Sequence, residues 1–475
     1  MYEIKNIRLE KLAIPVGGTE SSDSHVHKRL SNEGEPLRWA VVKAQKLPDG
    51  RPIVDVETTI IKGDKNSKPK FPDTLENPIK LDLNRPIFVH IVPTGIQAAV
   101  GGSLGDAMPA NLALSKLGLV VTHPNTCNGG ILNVLDPNSI WYVEGYGLDL
   151  WSKNNIYLAQ PLQNNIGVIV DCGERDEWVL DKVWNGVWGF MAHAGAHVVG
   201  VEETRRPVGG KARRNQSGAF VGEIKNLDTV FEAAEKLIQR GANVLAVFTF
   251  IEIGQTHWNQ YFKDKCPNPV GGTEAIISHS LVRRFGIPTA HAPLLRRSEE
   301  RALQNYGRVR PAAGLEAADP FYIFSVLLGL QYAPRFLGPY YVENRDQMLD
   351  WSSKEYMLEF EDISAVVCPA SAMGGIPMMR ADALNKAVIG VRQSETVLTV
   401  RANLLGFKNA IEVENYLEAV GLLSLAKTQG NDYSPKRLRE FAKVHAGSLR
   451  HYGEEHCHAY GINPATLLRP LVAPE

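Results

Sequence analysis

The stretch from Pro86 to Gly130 constrains the fold most, because its hydrophobic runs, glycines and prolines follow the order strand, glycine loop, helix, strand, polar loop. Ile87 to Val92 is a short apolar run that stops at Pro93-Thr94-Gly95, and proline removes the backbone donor a strand needs to continue. The loop after it carries Gly95, Gly101, Gly102 and Gly105, then Asp106, before Ala110 to Leu117 supplies a helix-forming segment. Glycines so placed let backbone N–H groups approach an anion at a helix N-terminus, where the dipole favours negative charge. Leu119 to Thr122 then delivers the polar run His123-Pro124-Asn125-Thr126-Cys127-Asn128-Gly129-Gly130. Ligands in open α/β sheets sit beyond the carboxyl ends of strands, so two neighbouring polar loops mark a candidate site. The spacing is neither G-x-G-x-x-G nor a P-loop, which argues against the standard nucleotide fingerprints.

The same alternation continues along the chain. Candidate strands at Ile166 to Val170, His197 to Val201, Val244 to Phe250 and Ala365 to Val367 are separated by helices. In the clearest helix, Leu227 to Arg240, Val230, Phe231, Ala234, Leu237 and Ile238 form one apolar stripe that Gly241 ends. This is the doubly wound α/β pattern. Ahead of it, residues 1–62 read as a small β-rich unit, with Trp39 to Ala44 pairing Ile53 to Ile61 across Leu47-Pro48-Asp49-Gly50. Residues 63–85 read as a linker. After the core, 86–426, a C-terminal helical extension, 427–475, begins with Tyr433-Ser434-Pro435, a cap followed by proline in the first turn.

Two echoes bear on the architecture. Pro124 to Gly130 and Pro369 to Gly375 both fit P-x-[ST]-x-x-G-G after a strand, and Pro-Val-Gly-Gly recurs at Pro15, Pro207 and Pro269. The first echo points to two similar lobes whose loops face one cleft, with Ser371, Gly374 and Gly375 as a second anion-binding set.

Lysine plus arginine (51) balances aspartate plus glutamate (52), so no global field recruits nucleic acid or an anionic membrane. No apolar run reaches the roughly 18 residues of a membrane span, and the N-terminus lacks a signal-peptide core. A cytoplasmic protein acting on a small molecule is expected. The five cysteines contain no C-x-x-C pair, against a disulfide framework or a zinc ribbon. Phe321 to Leu330 and the C-terminal helix fit either core or a homo-oligomer contact.

Several segments together carry a resemblance. Val92-Pro93-Thr94-Gly95-Ile96 with Gly101-Gly102 and Gly105-Asp106, then Thr122-His123-Pro124-Asn125 and Tyr142-Val143-Glu144-Gly145-Tyr146, come first. Ser217-Gly218 with Gly222, the run Gly272 to His279, Ala290-His291-Ala292-Pro293 and the Pro369 to Gly375 loop follow in order. This series resembles the DUF3326 family of uncharacterised, mainly bacterial proteins over residues 86–426. The resemblance implies a fold and a site map without naming a reaction. Cys127 stands where that family often carries a hydrophobic residue, which argues against a nucleophile there.

Titratable residues gather at the predicted strand ends and helix starts: Asp106, His123, Glu144, Asp149, Asp171, Glu274, His279 and His291. On a helix Glu274 and Ser278 share a face, while His279 is turned about 100° from Ser278. General acid/base work by His123 and His279 or His291, with Glu144 and Glu274, is the favoured chemistry. A divalent metal held by His123, His279 and His291 with Asp106 or Glu144 is the alternative, although no H-E-x-x-H spacing supports it. Cys127, Cys368 and Ser217 are the nucleophile candidates; a thiol beside backbone N–H groups can have a lowered pKa, and Ser217 lacks the G-x-S-x-G elbow and reads better as substrate-binding. Arg205 and Arg206, with Lys211, Arg213 and Arg214, crowd Pro207-Val208-Gly209-Gly210 and are expected to bind an anion from a lid. Gly95, Gly101, Gly102, Gly105, Asp106 and Asn125 complete the expected anion site. The expectation is an isomerase or a ring or amide hydrolase for a small anionic metabolite; the other readings are a metal-dependent hydrolase or lyase and a non-catalytic small-molecule or nucleotide sensor.

Overall fold

The computed structural model describes residues 3–12, 19–49, 52–62, 79–93, 95–96, 107–123, 136–160, 163–173, 177–263, 266–300, 307–309, 321–338 and 354–468. From the N-terminus run β1 (Glu3–Leu12), β2 (Glu35–Lys46) and β3 (Pro52–Lys62), then β4 (Ile87–Ile91), β5 (Leu119–His123) and β6 (Ile140–Tyr142). The middle holds β7 (Tyr157–Ala159), β8 (Asn165–Val170), β9 (His197–Glu203), β10 (Gly210–Arg214), β11 (Phe220–Ile224), β12 (Val244–Glu252) and β13 (Thr289–Leu294). Last come β14 (Arg335–Leu337), β15 (Ala365–Pro369), β16 (Ala387–Val391) and β17 (Ala410–Val413).

The chain is α/β, with two lobes. In the first, the order β17-β16-β15-β4-β5-β6 makes a wholly parallel sheet. Parallel sheets are covered on both faces, and β4, β5, β15 and β16 are accordingly buried at every residue. His90, in the middle of β4, is a polar residue buried among them. Its ring nitrogens meet Asn111 Oδ1 at 2.7 Å and the Tyr416 hydroxyl at 3.3 Å, and burial lowers its pKa to about 4. It is a neutral imidazole with a partner on each side.

In the second lobe β12 lies between β8 and β13, with β9 outside β8, again all parallel. The last residues of β12 also pair with β10, which turns back antiparallel into β11. From β11 the sheet continues through β1 and β3 to β2, all antiparallel. The β-rich N-terminal unit is therefore an extension of the second lobe's sheet. Among the described residues no helix is long and apolar enough to cross a membrane.

The strands expected at Ile87, Leu119, Ile166, His197, Val244 and Ala365 all form, as does the Leu227–Gln239 helix. Two details differ. The segment read as a basic lid contains strand β10, whose Lys211, Arg213 and Arg214 are exposed while Gly210 and Ala212 are buried; ladder hydrogen bonds to β11 hold it in the sheet. The echoed loops follow β5 and β15, and both strands flank β4 in one sheet. That echo marks two strand ends of a single lobe and does not relate one lobe to the other.

The Phe321–Gln331 helix is core: Ile323, Val326, Leu327 and Leu330 are buried against the second lobe's strands. The C-terminal helices dock on the first lobe. Ser434 caps Pro435–Val444 by accepting from the Arg437 amide, with Pro435 in the first turn. The next helix, Leu449–Ala459, crosses Tyr416–Thr428 backbone to backbone: a Cβ at Gly421 would lie 1.9 Å from the Leu449 carbonyl oxygen, and one at Gly453 2.1 Å from that of Leu417. Gly421→Ala is therefore expected to lower stability by about 1–3 kcal/mol through overpacking, although alanine is intrinsically the better helix former by about 1 kcal/mol. Gly447→Ala, which would meet open space, should leave the thermal midpoint nearly unchanged in the same melt.

Candidate functional site

Beyond the carboxyl ends of β4 and β5 the first lobe faces β2, β3 and the Gly271–Phe285 helix, and a cavity of about 180 Å³ lies between them. That is the scale of the roughly 150 Å³ cavity that takes up benzene. Most of its wall is apolar, including Trp39, Val41, Ile91, Phe220, Ile276, Met378 and Leu398. A few polar side chains converge on it, the usual composition of a small-molecule site.

Each polar group arrives from a different element. His123 is the last residue of β5, and Glu144 precedes the Gly145–Ser152 helix that begins just after β6. His291 stands in β13. Gly272, Ala275, Ile276 and His279 share the cavity face of the Gly271–Phe285 helix, at the spacing of one helical side. Arg38 comes from β2 and pairs with Asp149 at 2.9 Å across the boundary between the N-terminal strands and the first lobe. Asp23 holds the same boundary, reaching Lys153 at 2.7 Å and accepting from the Trp39 indole.

Burial sets the protonation states. Glu144 accepts a hydrogen bond from the Tyr142 hydroxyl and lies 3.8 Å from His123 Nδ1. Burial raises its pKa to about 7, against the opposing pull of Tyr142, the Gly145 amide and Arg38. The imidazoles move the other way. Burial, aided by Arg38 and His291, lowers His123 to about 3; burial alone lowers His291 to about 4; and His279 falls well below its ordinary value. At neutral pH the three histidines are uncharged, while the carboxyl is near its midpoint. Asp149 is also raised by burial, with Arg38 and Lys153 opposing.

Ser278 determines which nitrogen of His291 carries the proton. Its hydroxyl donates to the Ala275 carbonyl at 3.1 Å, and its oxygen lies 2.9 Å from His291 Nδ1. A hydroxyl has one proton to give; spent on the Ala275 carbonyl, it leaves Nδ1–H donating to Ser278 and the Nε2 lone pair unused, the tautomer a base requires. Ser278 does not line the cavity and His291 does. Nε2 is therefore the nitrogen left for a ligand.

Of the residues singled out in the sequence, His123, Glu144, His279, His291, Gly95, Gly374 and Gly375 line this one cavity. Others are placed elsewhere. Glu274 is buried in the first turn of the 271–285 helix but off the cavity wall. Ser371 bonds Thr396 at 2.8 Å, and Ser217 sits in the β10–β11 turn with its amide on Asn215 Oδ1; neither lines the cavity. Arg205 forks onto Glu232 at 2.9 and 3.0 Å and Arg206 pairs with Asp228, both beside the Leu227–Gln239 helix and away from the cavity. Asp171 accepts from the Gly173, Val208 and Phe250 amides and so braces strand ends. Cys368 does not have the exposed, electropositive surroundings of a reactive thiol: it is fully buried in β15, and burial pushes its pKa up to about 12. Gly101, Gly102, Gly105, Asp106, Asn125 and Cys127 lie outside the described residues. Among the described residues no three His, Cys, Asp or Glu side chains stand close enough to hold one metal ion, so the three histidines share a cavity without forming a ligand set.

The glycines take on new roles. Gly374 sits under β2: a Cβ there would lie 2.5 Å from the Val41 carbonyl oxygen, and the Gly374 carbonyl accepts from the Val41 amide at 3.0 Å. Its small size joins the β15 loop to β2. The glycine pair at a helix start on the cavity wall is Gly271-Gly272, one of the Pro-Val-Gly-Gly repeats, where a Gly272 Cβ would lie 2.4 Å from the Phe220 carbonyl oxygen.

Arg38 is the residue that sequence reasoning missed. A signal was present. From Leu37 to Ala44 both faces of β2 are mainly apolar, with Arg38 set among Leu37, Trp39, Ala40 and Val41. An arginine inside such an apolar run is half-buried among packed neighbours and gains from a counterion, here the buried Asp149.

The model of DUF3326, a protein of unknown function, matches residues 87–435, and the chain belongs to that family. The chain is also 31% identical over 345 residues to an uncharacterised lipoprotein of Synechococcus sp., an alignment that covers 71% of this chain and 90% of that one. No solved structure matches.

The raised pKa of Glu144 has a consequence for stability. Its folded value, about 7, lies above the ordinary 4.5, so the folded chain binds the proton more tightly. Its contribution is fully present below pH 4.5 and is lost as pH rises towards 7 and beyond. Glu144→Gln removes that loss and should gain on wild type across this window, on the order of 3 kcal/mol by pH 8. Urea midpoints of the two proteins from pH 4 to 8 measure the difference.

Proposed function

We propose that this DUF3326 protein is an enzyme that binds a small anionic metabolite in the cavity and moves protons on it, with Glu144 as the acid and His291 as the base. The observation that carries the reading is the convergence of Glu144, His123, His279 and His291 on one mostly apolar cavity. A carboxyl raised to about 7 stands in the same cavity as imidazoles lowered to about 3 and 4. Titratable groups whose environments push their pKa values apart mark acid and base roles. Here the carboxyl is about half protonated near pH 7 and can donate, while the imidazoles stand unprotonated as weak bases.

The roles follow from the contacts. Glu144, protonated about half the time near pH 7, donates to an oxygen or nitrogen of the substrate. His291, held by Ser278 with Nδ1–H inward, accepts at Nε2. Arg38 and the N-terminal turn of the 271–285 helix supply positive potential for a carboxylate or a developing oxyanion. In an isomerisation His291 takes a proton from a carbon next to a carbonyl while Glu144 protonates the oxygen. In a ring or amide hydrolysis His291 takes the proton from water while Glu144 protonates the leaving nitrogen. The apolar wall keeps bulk water from competing for those protons.

Proton abstraction from carbon is detected without knowing the product. In D₂O, wild-type protein should catalyse deuterium incorporation into one or more of a set of small carbonyl acids, followed by proton NMR; a set of small lactams and amides tests the hydrolytic branch. Glu144→Gln should lower the rate by about 10²–10⁴-fold, the ordinary size of a general acid/base contribution. It should also abolish a pH dependence centred near 7. A wild-type protein that binds such molecules yet neither exchanges nor hydrolyses any of them would be a sensor, and the acid/base reading would be abandoned.

A further inference from the structure

We infer that the cavity contains a carboxylate subsite beside Gly145, so that the molecule it takes is a small monocarboxylic acid. This deepens the proposed function, and rests on it only in treating the bound acid as the substrate.

Gly145 is the first residue of an eight-residue helix, directly after Glu144. A Cβ at this position would lie 3.4 Å from Arg38 Nη1, 3.4 Å from His123 Nε2 and 3.6 Å from Arg38 Cζ. The side chain that glycine lacks therefore leaves a gap bordered at once by a guanidinium edge and an imidazole nitrogen. His123 is 9% exposed; its Nε2 borders this gap while its Nδ1 lies on the Glu144 side, 3.8 Å away. A side chain at 145 would enter the space that both nitrogens border.

The guanidinium is set for a single anion. Its Nε is ion-paired with Asp149 at 2.9 Å, and its Nη1 edge borders the Gly145 position. A planar fork held in one orientation suits the two oxygens of a carboxylate better than the point charge of an ammonium would. Of the acidic groups that line the cavity, each has a polar partner or is half protonated. Asp149 is paired with Arg38, Glu57 accepts from Asn215 Nδ2, and Glu144 is near its midpoint. Gly271 and Gly272 bring the positive end of a fifteen-residue helix to the wall of the same cavity. The remaining wall is apolar around Trp39, Val41, Ile276 and Leu398. One guanidinium edge, a helix terminus and a small apolar chamber match one negative charge on a short carbon chain.

The test is a thermal-shift and calorimetric series with full-length protein. Acetate, propionate, butyrate and pyruvate are compared at matched ionic strength with the corresponding amides, with propylammonium and with inorganic phosphate. The carboxylates should raise the melting temperature saturably, and the amides and propylammonium should not. Gly145→Ala removes no charge and places a methyl group at ordinary contact distance from both nitrogens; it should melt like wild type without ligand and bind carboxylate at least tenfold more weakly. Arg38→Met should lose the response, whereas Glu144→Gln should keep it. The subsite is overturned by any of three results: no carboxylate response beyond that of sodium chloride, preferential binding of phosphate or propylammonium, or unchanged carboxylate affinity in Gly145→Ala. Carboxylates that bind with the expected discrimination but undergo no exchange or hydrolysis would leave the subsite standing and remove the acid/base reading instead.

Discussion

The ion pair between Arg38 and Asp149 joins the two parts of the molecule that make the cavity. One partner belongs to β2, in a sheet that reaches the second lobe through β1 and β11; the other lies on the helix that follows β6 of the first lobe. Asp149 is buried at this seam while Arg38 reaches it from a half-buried position, and an unpaired carboxylate there would be costly. Lys153 with Asp23 and the Trp39 indole with Asp23 brace the same seam. Closing the seam does more than join two elements. It removes water from Glu144, His123, His279 and His291, and that desolvation is the largest cause of every pKa shift in the cavity.

Close backbone approach provides the rest of the enclosure. Gly374 lies against the Val41 carbonyl and Gly272 against that of Phe220. A methyl group at either place would push β2 or the 271–285 helix outward and open the cavity to solvent. These glycines hold the site together through their small size. The chemistry of the site then comes from side chains that the packing has stripped of water.

Much of this was legible from local pattern. Continuous apolar runs mark buried parallel strands, so β4, β5, β8, β12 and β15 could be read directly, and the polar residues placed at their ends include His123. The very short strands were harder: β6 and β17 are too brief for periodicity to separate them from loop. Glycine motifs were ambiguous for a different reason. A glycine that admits an anion and a glycine that admits a neighbouring carbonyl leave the same mark in a sequence, and Gly374 is of the second kind. The basic run after Arg205 could likewise be read as a lid or as a sheet strand with exposed charges, and its pairing with β11 decides for the strand at Gly210–Arg214.

The sequence by itself determined the α/β class, the order of the main strands and the set of histidines and glutamates at strand and helix ends, because these follow from residues near one another in the chain. Tertiary structure decided which of them meet. Arg38, His123, Glu144, His279 and His291 come from five separate elements, and no spacing along the chain encodes that convergence. It also decided their charge states, because a pKa depends on how much water and which charges surround a group, and those are set only when the N-terminal strands close over the first lobe.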